Sequence, residues 1–193
     1  MLDPRQGRML FATRSFRAVW SLLTMPEITV HAIEPEDLPD VLALHTRAFG
    51  PGRFARTAYR VREGTLPISR FCLLSKVSDE LVAAIRFTEV TVGGKPGVLL
   101  LGPLAVEEKY AGLGYGKRLV AEGLENARKA GLSLVLLVGD EPYYARFGFK
   151  RVSPGRIHLP GPVDPARMLV AELREGALAE YEGQVEAAPN VAD

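Results

Sequence analysis

The stretch EEKYAGLGYGKRL, residues 107–119, decides how this chain is read. A nearly continuous apolar run, residues 98–106, ends just before it, and a helical pattern, residues 115–130, begins within it. Between them Gly112, Gly114 and Gly116 occupy alternating positions. The start of a helix leaves N–H groups without acceptors and carries a partial positive charge. Glycines placed there let an anion approach the backbone closely. From the loop alone two readings stay open: a plain tight turn, or a cradle for a diphosphate. Two familiar phosphate loops fail on the letters. A Walker A loop needs a first Gly where Ala111 stands and a Ser or Thr where Arg118 stands; a dinucleotide fingerprint needs Gly where Lys117 stands.

Working outward, the pattern is a mixture of strands and helices. Residues 28–33 alternate as a half-buried strand does, and residues 36–49 carry an apolar stripe at helical spacing, stopped by Gly50-Pro51-Gly52. A short helix is expected over 55–63, strands over 70–76 and 81–92, and a hairpin at Gly93-Gly94. Gly102-Pro103 interrupts the 98–106 run, and proline cannot donate to a sheet ladder, so a bulge or splay is expected there. After the amphipathic helix, with Leu119, Val120, Leu124 and Ala127 on its apolar face, come a buried strand at 134–138 and a short helix at 141–147. A short strand at 149–152, a Pro/Gly-rich loop at 153–165 and a last strand at 168–173 complete the order. The fold class is α/β, with antiparallel hairpins early and one strand–helix–strand crossover late.

Composition sets bounds on function. The 193 residues suffice for one domain with a substantial core, and 47% are hydrophobic. A net charge of +1 gives no electrostatic reason to expect nucleic acid or an anionic membrane. No apolar run approaches the ~20 residues that span a bilayer. Cys72 is the one cysteine; it lies in the run FCLL and reads as a buried structural thiol. His31, His45 and His158 are scattered without ligand spacing, so no metal is expected. Residues 1–24 carry Arg5, Arg8, Arg14 and Arg17 against Asp3 and read as a leader, disordered or preceding a native start at Met25. Residues 25–182 are read as the domain and 183–193 as a flexible tail. A cytoplasmic protein is expected, monomer or homodimer.

A second segment, DEPYYARFGFKRV at 140–152, gives the glycine loop its meaning. Leu104-Ala105-Val106 followed by Ala111-Gly112-Leu113-Gly114-Tyr115-Gly116, and then Tyr144-Ala145-Arg146-Phe147-Gly148-Phe149, resemble the two motifs of the GNAT superfamily of acyl-CoA-dependent N-acetyltransferases. The resemblance covers roughly residues 28–173. The phrases LLGPLAV and VGDEPYYARFGF look especially like one bacterial subgroup of predicted acetyltransferases. It implies a mixed central sheet with one splayed strand and helices on both faces, and acetyl-CoA as co-substrate without a metal. It also implies an amine acceptor, small molecule or peptide.

By that resemblance, Leu104, Ala105 and Val106 offer backbone groups to pantetheine, while Gly112, Leu113, Gly114, Tyr115 and Gly116 offer amides to the diphosphate, with Lys117 as helper. Ala111 departs from the family, which has Gln or Arg there, and Leu113 stands where a basic residue is common. That departure keeps a second class in view, a non-catalytic acyl-CoA-binding or sensing module. Tyr144 stands at the family's general-acid position. Glu89, Glu107, Glu108 and Asp140 are candidate bases, none of them assigned. The acceptor pocket falls between residues 49–56 and 153–165, where Arg53, Arg56, Arg156 and His158 lie.

Overall fold

The computed structural model describes residues 28–51 and 57–189. The leader at 1–24 and the pair Arg53 and Arg56 lie outside them.

The longest elements follow directly from the sequence pattern. Strands β2 (Leu73–Val77), β3 (Glu80–Val92) and β4 (Lys95–Val106) form an antiparallel meander. Val92 pairs with Lys95, so β3 and β4 are joined by a two-residue turn, and both turn residues, Gly93 and Gly94, have positive φ. That is the geometry that matches strand twist and that only glycine adopts without strain. Helix α1 (Leu38–Phe49) buries Val41, Leu44 and His45 and ends at Gly50. Helix α2 (Thr57–Arg60) is a single turn. Helix α3 (Tyr115–Lys129) buries Leu119, Val120, Leu124 and Ala127, the expected stripe, and carries β4 across to a parallel β5 (Leu134–Val138). Gly123 on α3 faces the Phe87 ring so closely that a Cβ there would stand 2.4 Å from it.

After β5 come α4 (Glu141–Tyr144), β6 (Lys150–Arg151), β7 (Ile157–His158), β8 (Met168–Glu172) and β9 (Gly183–Ala187). With β1 (His31–Ala32), the sheet runs β1-β2-β3-β4-β5-β8-β6, and β9 adds to β3 and β7. The side chains alternate between two apolar layers. Ile85, Phe87, Leu99, Leu101, Val135 and Leu137 meet α3 on one face. On the other, Cys72, Leu74, Ala84 and Ala105 meet α1, while Val98, Leu100, Leu134 and Val170 meet the C-terminal segment through Tyr181 and Val185. The expected mixed sheet with helices on both faces is therefore what forms, and Cys72 is buried.

Three expectations need correction. Of residues 28–33 only His31–Ala32 pairs as strand; Ile28 and Val30 pack on the core without joining the ladder. The loop at 153–165 contains β7. The tail expected to be flexible from 183 instead forms β9, whose Val185 is fully buried and sits opposite Val92. One apolar residue at the right register, in a strand that pairs with both β3 and β7, overrides a polar local pattern.

Candidate active site

Strand β4 and its neighbours create an opening in the sheet. Opposite Arg86 on β3, β4 carries both Gly102 and Pro103, since Ile85 pairs with Leu104 and Phe87 with Leu101. This extra residue is the expected bulge. On its other edge β4 pairs with β5 only through Val98, Leu99 and Leu100. Beyond Leu100 the two parallel strands diverge. Glu107 N–H donates to Val82 O at 2.8 Å, toward β3. N–H directions alternate along a strand, so Leu104 and Val106 point their N–H groups to the edge that β5 has left. Pro103 has no N–H at all. An unpaired edge thus lies at the carboxyl end of two parallel strands, where ligands of α/β sheets bind.

The glycine loop sits at the end of that edge. A single 3₁₀ turn, Glu108–Tyr110, leads to exposed Ala111, then to Gly112 and Gly114 with φ of 77° and 98°. Both values belong to the left-handed region that glycine adopts freely. Gly114 is the N-cap of α3 and provides no side-chain cap, so the amides of Tyr115, Gly116 and Lys117 have no acceptor among the described residues. Leu113 and Lys117 are exposed, while the Tyr115 ring turns inward and meets Tyr110 edge-on. Gly116 differs from the other two glycines. It lies inside the helix and is buried, and a Cβ there would stand 3.1 Å from the Tyr143 hydroxyl and 3.3 Å from Val106 Cγ2. Its bareness serves an internal contact with α4 and β4.

Helix α4 lies across the opening. Gly139, just after β5, admits the Tyr144 ring: a Cβ there would be 2.7 Å from Tyr144 Cε2. Tyr144 also meets Tyr143 and Phe149 edge-on, with centroids 4.8 and 5.6 Å away. The ring is held on three sides, yet its hydroxyl has no hydrogen bond among the described residues. Burial pushes the Tyr144 phenol up to about 12, with Tyr143 and Asp140 adding to the effect. Tyr143 is raised as well, again chiefly by burial.

On the opposite face of the sheet, a cavity of about 250 Å³ reaches Pro103. Its walls come from α1 (Val41, Leu42, His45), from Tyr59, Arg62 and Glu63 in and beyond α2, and from Cys72 and Arg86 of the sheet. Sequence reading did not single out Arg62, Glu63 or Arg86. The available signal was Arg86 itself, one charge inside the apolar run LVAAIRF. The acids considered as bases do not line this cavity. Glu107 is ion-paired with Arg47, Glu89 lies 3.6 Å from Arg70, and Asp140 lies 3.3 Å from Arg167; Glu108 sits on the 3₁₀ turn. Arg156 is occupied elsewhere: it donates to the carbonyls of Leu178, Ala179 and Tyr181, fastening the segment before β9. His158 is exposed on β7.

Among the described residues, no group of three or more His, Cys, Asp or Glu side chains is arranged to hold a metal ion, and no helix is long and apolar enough to cross a membrane.

Comparison with known proteins identifies the family. The chain is 33% identical over 131 residues to Escherichia coli (strain K12) YjhQ, a protein named as an uncharacterized N-acetyltransferase, covering 66% of this chain and 72% of that one. It is 32% identical over 156 residues to the similarly named YhbS of the same strain, covering 79% and 91%. The crystal structure of E. coli YhbS, a GNAT family N-acetyltransferase in complex with CoA, superposes with a TM-score of 0.71 over 83% of this chain and 89% of that one, at 29% identity. A GNAT family acetyltransferase from Brucella melitensis, solved in complex with acetyl-CoA, gives a TM-score of 0.56 at 25% identity over 78% and 97%. Residues 38–149 match the model of the Acetyltransferase (GNAT) family, and the chain belongs to that family.

Proposed function

We propose that the protein transfers the acetyl group of acetyl-CoA to a primary amine by direct attack, without a covalent enzyme intermediate. The observation that carries this reading is the unpaired edge of β4 from Leu101 onward, ending beside the bare N-terminus of α3. Pantetheine carries two amides and completes such an edge as an added strand does. The diphosphate then meets the free amides of residues 115–117 and the partial positive charge of the helix, while the Leu113 amide donates to Tyr110 O at 3.3 Å. Relatives solved with CoA and acetyl-CoA support the same co-substrate here.

In this reading the nitrogen lone pair of a neutral amine attacks the thioester carbonyl. The resulting oxyanion takes a hydrogen bond from the Leu104 N–H. As the intermediate collapses, the C–S bond breaks, the amide forms, and the CoA thiolate takes the Tyr144 proton. Tyr144 suits this role because its ring is fixed while its hydroxyl stays unengaged. The proton lost by the amine leaves through solvent, with Glu63 the carboxylate on the wall of the cavity. A cytoplasmic location follows from the co-substrate and belongs to the same proposal.

Calorimetry with acetyl-CoA, CoA and ATP tests the co-substrate: acetyl-CoA and CoA should bind and ATP should not. A thiol-release assay across an amine library then tests transfer. A second reading, an acyl-CoA-binding module without turnover, draws on exposed Ala111, where the family's usual Gln or Arg would reach the diphosphate. Ala111→Gln should tighten acetyl-CoA binding by at most ~1.5 kcal/mol, the scale of one hydrogen bond. Binding without thiol release for any amine would favour this second reading.

A further inference from the structure

Two guanidinium groups line the cavity at Pro103, and neither has a carboxylate partner among the described residues. Arg62 is only 6% exposed. Its Nε donates to Thr88 Oγ1 at 3.2 Å and its Nη1 to Ala58 O at 2.7 Å, which fixes the fork. Its Nη2 lies toward Gly102, 3.8 Å from where a Cβ on that residue would be. Arg86 donates through Nη2 to Thr65 Oγ1 and Leu66 O, while its Nε is buried and has no hydrogen-bond partner among the described residues. Burial, and then the nearby Arg86 charge, pull Arg62 down to about 9; burial lowers Arg86 as well. Arg62 therefore stays protonated at neutral pH.

This arrangement is costly by itself. Buried charges are ordinarily paired, because desolvation otherwise outweighs the hydrogen bonds gained. Here two like charges share one cavity and only neutral oxygens hold them. Residues 52–56, outside the described set, read GRFAR and contain no acid to pair with them. Glu63 is on the wall but exposed. The rest of the lining is largely apolar, with Ile33, Leu38, Val41, Leu42 and Pro67 among it. Pro103 belongs both to this wall and to the bulge before Leu104, so an acceptor held here has its amine near the open edge of β4.

We infer that the acceptor is an amino carboxylate with an apolar body, its carboxylate held between Arg62 and Arg86 and its amine directed at the bulge of β4. The inference rests on the acyltransferase reading. An anion there supplies a counter-charge to both groups, accepts from Arg62 Nη2, and leaves its hydrocarbon against α1. Planar guanidinium forks match carboxylate geometry well.

The test compares six amines in the thiol-release assay: leucine and phenylalanine, their carboxamides, and their decarboxylated forms isoamylamine and phenethylamine. The two acids should exceed the other four in kcat/KM by about 10- to 100-fold, the scale of a charge-assisted hydrogen bond. Arg86→Gln should raise KM for the acids by a similar factor and bring acid and carboxamide close together, with acetyl-CoA affinity by calorimetry unchanged. Arg62→Lys, which keeps the charge but loses the fork, should give a partial effect. Equal rates for acids and carboxamides, preference for the uncharged series, or no turnover with any of the six by a protein that binds acetyl-CoA would overturn the inference. Absence of acetyl-CoA binding would instead defeat the acyltransferase reading beneath it.

Discussion

Gly116 and Tyr143 touch across the mouth of the sheet: a Cβ on the glycine would stand 3.1 Å from the tyrosine hydroxyl. The contact fastens α4 to the first turn of α3, and so links the tyrosine pair to the glycine loop. Gly116→Ala should fold, because the far end of one side chain and one Val106 methyl need yield only a few tenths of an ångström. Acetyl-CoA affinity should nevertheless fall. Removing the obstructing hydroxyl in the Gly116→Ala, Tyr143→Phe double variant should restore part of it, with a coupling of about 0.5–1 kcal/mol by calorimetry, at the low end for residues in contact. Strict additivity would mean that the two residues act independently.

Gly114 allows charge to be separated from shape. At φ of 98° an L side chain is strained, but Asn and Asp tolerate the left-handed region better than others and are close in size. Gly114→Asn and Gly114→Asp should melt within a few degrees of each other. The aspartate should bind acetyl-CoA far more weakly than the asparagine, and the gap should narrow as salt screens the repulsion. Equal affinities would remove the diphosphate from the α3 N-terminus.

For Tyr144, phenylalanine keeps the packed ring and removes the proton. Turnover should fall about 10²-fold or more, the low end for loss of a positioned acid, with KM for acetyl-CoA little changed. The hydroxyl also leaves a mark on stability. Its phenol is raised to about 12 in the fold against about 10 when unfolded. The folded state holds the proton more tightly, so this contribution is complete below about pH 10 and is lost as pH climbs through about 12. In urea melts, the wild type should lose stability faster than Tyr144→Phe across that window. Tyr143 keeps some slope in the variant, so the difference between the two proteins isolates Tyr144. Parallel curves would mean that the Tyr144 hydroxyl is solvated.

A chain ending at residue 182 lacks β9. Val185 is fully buried opposite Val92, and burying one branched side chain is worth about 2 kcal/mol. Urea unfolding should show at least that loss, and the newly exposed edge of β3 at residues 90–92 should make the truncated protein prone to self-association. Unchanged stability would return the segment to the status of a tail.

The parts of this fold legible in the sequence are those whose pattern is local. Leu119, Val120, Leu124 and Ala127 repeat at helical spacing, Gly93-Gly94 specifies a two-residue turn, and Gly102-Pro103 breaks an otherwise continuous strand. The glycine loop and the Tyr144 segment were legible as a resemblance to a family. Strands β7 and β9 were not, because each gains its ladder from a distant partner: Val185 meets Val92, and Ile157 meets Gly183. The arginine pair was hidden for another reason. Isolated charges in a sequence default to solvent, and only the fold brings Arg62 beside Arg86 with no carboxylate ion-paired to either among the described residues. In the same way Arg156 looked free in a loop and proved to be a clasp on three backbone carbonyls.

The narrow join between β4 and β5 has a mechanical meaning. Along the main order of the sheet, only Val98, Leu99 and Leu100, facing Leu134, Val135 and Leu136, unite the β1–β4 half with the β5, β8 and β6 half. Strand β9 adds a brace between β3 and β7, and it grips β3 at Val90, Thr91 and Val92, at the same end as the join. The two halves are therefore like the covers of a book with a short spine, their fore-edge held by side-chain packing such as the Gly116–Tyr143 contact and not by ladder bonds. In the proposed reading, a strand-like ligand laid beyond Leu100 would add ladder bonds to that spine. The ligand would then stiffen the sheet at the place where its own backbone pairing is thinnest.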